Sequence, residues 1–239
     1  MKKLIVIACL FISVTSVAQN MFGKNPYKNQ QEMDKQRVHW GYFLGFNTYN
    51  YKINYTEGYQ IKNNGQEIQV NTTGGFNVGF ITNLRLTEYL SLRFEPGLYY
   101  GKKTLFFPQL AEGNNLSKIR TINSTYINFP LLLKFSAMRT GNIRPFVLGG
   151  FSQSLNLGSN QDSKDDNYAG KFRVKKWSSN YELGLGIDFY FEHFKFTPSV
   201  RGSFGIGDEL VRDRNAQSPW TGGIESMKTR AILVNFTFQ

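Results

Sequence analysis

Large apolar side chains recur at every second position in eight short stretches of the chain, and that face carries no charge in any of them. The clearest run sets Leu90, Leu92, Phe94, Pro96, Leu98 and Tyr100 against Ser91, Arg93, Glu95, Gly97, Tyr99 and Gly101. A period of two means a strand with one apolar and one polar face. Trp40, Tyr42, Leu44 and Phe46 predict the first strand, and Phe76, Val78, Phe80, Leu84 and Leu86 the second. Ile127 to Phe135, Tyr181 to Phe191, Phe194 to Ile206 and Ile232 to Phe238 alternate in the same way. Between Arg144 and Leu157 both faces are partly apolar, Val147, Gly149 and Phe151 opposing Phe146, Leu148 and Gly150, and the pattern leaves the face open.

Loop lengths add an independent signal. Short turns follow strands two, four and six, around Thr87, Gly141 and Glu192. Longer polar loops, 52–74, 106–120, 158–176 and 207–228, follow the odd strands. The expected fold is all-β: an eight-stranded antiparallel transmembrane β-barrel with short periplasmic turns and long extracellular loops. A soluble ligand-binding barrel also alternates, but with the apolar face inward. Here the other face holds many glycines and serines together with Arg85, Arg93, Glu95, Lys134, Glu182, Asp188 and Arg201. Such a set suits a narrow interior closed by a satisfied polar network. One Arg or Lys at mid-bilayer on the large-side-chain face would cost ~2–4 kcal/mol. Phe80, Leu92, Phe94, Leu131, Leu185 and Phe236 are therefore expected to face lipid. Trp40, Tyr42, Tyr89, Tyr100, Trp177 and Tyr181 fall near strand ends, as an interfacial girdle requires.

The ends fit export. Lys2 and Lys3, the apolar run 4–14 and Ser16-Val17-Ala18 read as a signal peptide over residues 1–18. A polar stretch, 19–36, reads as a flexible periplasmic leader, and 37–239 as the barrel. The only cysteine, Cys9, lies in the signal, so cleavage leaves no thiol for a disulfide, a metal or a nucleophile. Losing Lys2 and Lys3 lowers the formal charge from +11 to +9. With no long basic run, that charge points to anionic lipid headgroups or an acidic partner, not to nucleic acid. Pro96, Pro130, Pro145 and Pro198 fall inside predicted strands, where each removes a ladder donor and implies a bulge or local unpairing.

Several segments carry a family resemblance. Phe129-Pro130-Leu131-Leu132-Leu133-Lys134-Phe135 through Arg144-Pro145-Phe146-Val147-Leu148-Gly149-Gly150 resembles the outer-membrane β-barrel family of surface-secreting and gliding Gram-negative bacteria. The segments 39–47, 181–191, 194–198 and 229–238 are similar to the PorT group within that porin-like family, components of type IX secretion. The resemblance implies a role in exporting cargo with C-terminal sorting domains, in some species for gliding motility. It also implies outer-membrane lipid and other secretion-system envelope proteins as partners. It carries over no catalytic, cofactor or metal residues.

Eight strands leave a lumen that side chains can fill, so the chain is not expected to conduct a folded protein. The alternative is a small porin-like barrel with a narrow channel or an envelope-structural role. His39 and His193, the only histidines, fall at predicted periplasmic ends, which does not suit chemistry on outer-leaflet lipid. The acidic stretch 162–167 lacks the Gly and distal Glu of a calcium loop. No enzyme activity and no cofactor are expected.

Overall fold

A computed structural model describes residues 28–59, 63, 65–108, 110, 118–163, 172–215 and 218–239. The expected signal segment, residues 19–27 of the leader and residues 164–167 of the acidic stretch lie outside them. Among the described residues nine strands form one antiparallel sheet: β1 (Val38–Tyr55), β2 (Gln69–Arg85), β3 (Leu90–Phe94), β4 (Gly97–Phe106), β5 (Ile119–Ser136), β6 (Ile143–Asn156), β7 (Trp177–Tyr190), β8 (Lys195–Gly205) and β9 (Ile224–Phe238). β3 and β4 both pair with β2 on one side and β5 on the other, so they are two halves of one stave. β1 pairs with both β2 and β9, which closes eight staves into a barrel. Closure leaves no sheet edge to hydrogen-bond in hydrocarbon, the condition for a strand protein to cross a membrane.

The break in the third stave falls at Glu95-Pro96. Pro96 has no N–H to give, yet its carbonyl accepts from Phe80 N at 3.0 Å, while Glu95 N donates to the Pro130 carbonyl at 3.3 Å. Two prolines on facing staves thus meet at one local irregularity. Pro145 and Pro198 stay inside β6 and β8.

The faces divide as a membrane barrel requires. Phe80 is 72 % exposed and Leu185 63 %, whereas Arg93 and Glu182 are fully buried. Phe94 and Leu131 are also exposed, while Leu92 and Phe236 are only half-buried beside neighbouring outward side chains. In β6 the open question resolves: Val147 and Phe151 face out, Phe146 and Leu148 in.

Two expectations need correction. The strands run further than the pattern indicated: β1 continues to Tyr55, β2 begins at Gln69, and β9 begins at Ile224. At ~3.3 Å per residue an 18-residue strand is about 60 Å long, well over the tilted length needed for an apolar band about 25 Å tall. The barrel wall therefore stands above the bilayer on the long-loop side, where outward positions no longer need to be apolar and the alternation fades. The second concerns the leader. Over residues 28–36 it is not a free tail but a turn-rich segment bonded across the short-turn rim.

Candidate functional site: the filled lumen and its two rims

From the short-turn rim upward, the lumen is occupied in layers. At the rim, Asp34 of the leader accepts from Arg139 Nη1 at 2.6 Å and from Tyr190 Oη at 3.1 Å, and Arg144 stands 3.9 Å away. Asn29 N donates to Asn142 Oδ1 at 2.9 Å, and His39 Nε2 meets the Met33 carbonyl at 2.5 Å. Arg139 also lies over the Tyr190 ring, 3.7 Å from its centre. The leader thus lies over the mouth. Beneath it a cavity of about 30 Å³, lined by His39, Lys134, Asp188 and Lys195 among others, holds little more than one water.

Next come the charges. Lys134 Nζ donates to Asp188 Oδ2 at 2.5 Å, and Thr197 Oγ1 donates to Asp188 Oδ1 at 2.8 Å. Glu95 accepts from Arg93 Nη1 at 3.2 Å and from Arg201 Nη1 at 2.6 Å; Arg201 Nε lies 2.8 Å from Glu182 Oε2, and Arg201 Nη2 donates to Tyr99 Oη at 3.2 Å. The Phe146 ring lies between the two groups, 3.9 Å from Lys134 Nζ and 5.3 Å from Arg93 Cζ. Of the seven charged residues expected to line the interior, six therefore sit in two adjoining clusters. Arg85 does not join them. It is the last residue of β2, so its inward side chain reaches only the rim, where it bonds the Asp34 carbonyl.

Above the charges, amides and phenols fill the bore. Asn47 Nδ2 donates to Asn77 Oδ1 at 3.4 Å, and Asn128 Nδ2 to Tyr49 Oη at 3.3 Å. Gly45 makes room for this layer: a Cβ there would stand 2.3 Å from the Val234 carbonyl and 2.7 Å from the amides of Asn77 and Asn235. Lys103 Nζ donates to Tyr126 Oη at 3.1 Å and lies 3.7 Å from the centre of the Tyr51 ring, a cation held by aromatic faces. At the long-loop end an apolar cluster caps the bore. Tyr51, Ile68, Leu105 and Ile122 meet Phe107, Phe172, Leu210 and Trp220 from the loops, with Phe107 edge-on to Trp220 at 5.2 Å. Arg120 lies over the Trp220 ring at 3.8 Å. Glu209, beside this cap, accepts from Thr229 N and Oγ1 at 3.0 and 2.8 Å; burial pushes its carboxyl above the ordinary value.

Sequence reasoning missed both ends of this column. Lys103 could have been found, since Tyr99, Gly101 and Lys103 continue the inward parity of β4. The cap residues offered no periodic signal, because Phe107, Phe172, Leu210 and Trp220 lie in loops where apolar residues follow neither the strand nor the helix period. The two histidines lie at the short-turn end, His39 at the start of β1 and His193 in the β7–β8 turn. Among the described residues no group of three or more His, Cys, Asp or Glu is placed to hold a metal.

No curated protein sequence matches the chain. OprG from Pseudomonas aeruginosa is 13 % identical with a TM-score of 0.44 over 84 % of this chain and 92 % of its own. Ail of Yersinia pestis is 10 % identical with a TM-score of 0.40 over 85 % and 99 %. The outer-membrane protease OmpT from Escherichia coli is 9 % identical with a TM-score of 0.40 over 84 % and 95 %. A family model described as an outer membrane protein β-barrel domain matches residues 18–211. Strand pairing, an apolar outer wall and that match agree, and the chain belongs to the outer-membrane β-barrel domain family, resident in the outer membrane.

Proposed function

We propose that this barrel is a non-conducting, non-catalytic scaffold that works by contact, as an accessory component of type IX protein secretion. One observation carries the non-conducting part: the bore is occupied from the leader at one rim to the Phe107–Trp220 cap at the other. A bore filled by paired charges, amides and rings leaves no path for cargo, and eight staves do not enclose one. Contact with other envelope proteins then falls to the rims, the loops and the outer wall. The secretion machine itself is supplied by the similarity of segments 39–47, 181–191 and 229–238 to the PorT group.

The test is genetic. Deletion of the gene is expected to abolish surface delivery of cargo bearing C-terminal sorting domains, and the wild-type chain restores it. Normal export in the deletion strain would remove the secretion role and leave a passive envelope-structural barrel.

A further inference from the structure

The outward side of the β1–β9 pair changes from apolar to basic within a few rungs. Leu44 faces Phe236, Phe46 faces Val234 and Thr48 faces Ile232; then Asn50 faces Arg230, and Lys52 faces Lys228. Lys52 and Arg230 are exposed and Lys228 is half-buried. On its other side Arg230 is paired with Phe204 of β8, again at the upper margin of the apolar wall.

Two lysines directly opposite each other on one face repel, and such a pair weakens a ladder unless something neutralises it. Among the described residues neither lysine nor Arg230 makes an ion pair with a carboxylate. The strands contain three acids in all: Glu182 and Asp188 are buried in the lumen, and Glu225 lies beyond Lys228, among Glu57 and Glu67 at the loop end. The patch is on the long-loop side, just above the apolar band, where lipid headgroups begin. Long basic side chains at that level keep their stems on the apolar wall and present their charge to the headgroups.

We propose that Lys52, Lys228 and Arg230 form a binding site for the phosphate groups of the outer-leaflet glycolipid. The opposed lysines and, one outward rung away, Arg230 then set two ammonium groups and one guanidinium at the level of a phosphorylated saccharide headgroup. Asn50, opposite Arg230, adds an uncharged amide whose Oδ1 is already taken by Tyr51 N at 2.7 Å, leaving its N–H₂ as a further donor.

The full chain, folded in detergent, is titrated with the phosphorylated glycolipid, with the same lipid after enzymatic dephosphorylation, and with inorganic phosphate, while its thermal unfolding is followed. The wild type is expected to gain stability with the phosphorylated lipid only. Lys52→Gln/Lys228→Gln should bind that lipid about 30-fold more weakly, given two basic side chains lost at an anionic surface. Without lipid, the same double variant should unfold at a higher temperature than the wild type, because the repulsion is gone; this separates a lost site from a damaged fold. Lys35→Ala, at the opposite rim, should behave as the wild type. Equal protection by the dephosphorylated lipid, or by inorganic phosphate at matched concentration, would overturn the proposal. So would undiminished lipid protection of the double variant.

Discussion

The pair Lys134–Asp188 offers the sharpest energetic test of a lumen sealed from bulk water. Both side chains are 2 % exposed and their charged atoms are 2.5 Å apart. Removing one partner of such a pair strands the other charge in a medium that cannot solvate it, at a cost of about 3–5 kcal/mol. Lys134→Met should therefore destabilise the barrel by that amount, and Asp188→Leu by a similar one. The double variant should lose far less than the sum. Its residual cost is about 1–3 kcal/mol, because Thr197 Oγ1 loses its 2.8 Å acceptor. The cycle then gives a coupling of at least about 3 kcal/mol between the two sites. The assay is urea unfolding of the reconstituted barrel in lipid vesicles, followed by tryptophan fluorescence. If Lys134→Met costs less than about 1 kcal/mol and the two single effects add, the pair behaves as exposed pairs do, and a lumen sealed from bulk water is refuted.

Further predictions follow from other layers. Leu185→Arg places a charge on the lipid wall and should cost ~2–4 kcal/mol in the same unfolding assay, with the largest effect for sites at the middle of the bilayer. Asp34→Ala removes the acceptor for Arg139 and Tyr190; proteolysis within residues 28–36 should accelerate while cleavage of the barrel strands does not, as read by limited digestion and mass spectrometry. Gly45→Val forces a Cβ against the Val234 carbonyl and should prevent folding to the heat-modifiable form on electrophoresis. Glu209 has a folded pKa raised above 4.5 by burial, so the folded state binds its proton more tightly than the unfolded one. Its contribution is fully present below 4.5 and lost as pH rises through the raised value; urea midpoints across that window should fall for the wild type and stay flat for Glu209→Gln.

The parts of this molecule that were legible in the sequence are those fixed by a repeating boundary. Lipid on one side and a narrow bore on the other force the alternation in β1, β5 and β7, so Leu44, Leu131 and Leu185 on one face and Glu182 and Asp188 on the other could be assigned by parity. Where that boundary ends, parity stops informing. The β1 and β9 extensions above the bilayer carry Lys52 and Lys228 outward, and both fall in stretches, 52–74 and 207–228, that read as polar loop. Tertiary contacts without a period were hidden as well. Asp34 is one acid in a polar leader, and only the fold brings Arg139 and Tyr190 to it. The bore is also less polar than glycines and charges suggested, because Phe43, Leu132, Phe146 and Leu233 turn inward and fill volume between the ion pairs.

A scaffold that works only by contact requires a bore sealed from leader to cap. Single-barrel conductance of the full chain in a planar bilayer tests it most directly. A sealed bore gives a flat baseline across the applied voltage range, with no unitary steps. A sustained ohmic current from the wild-type barrel would contradict it.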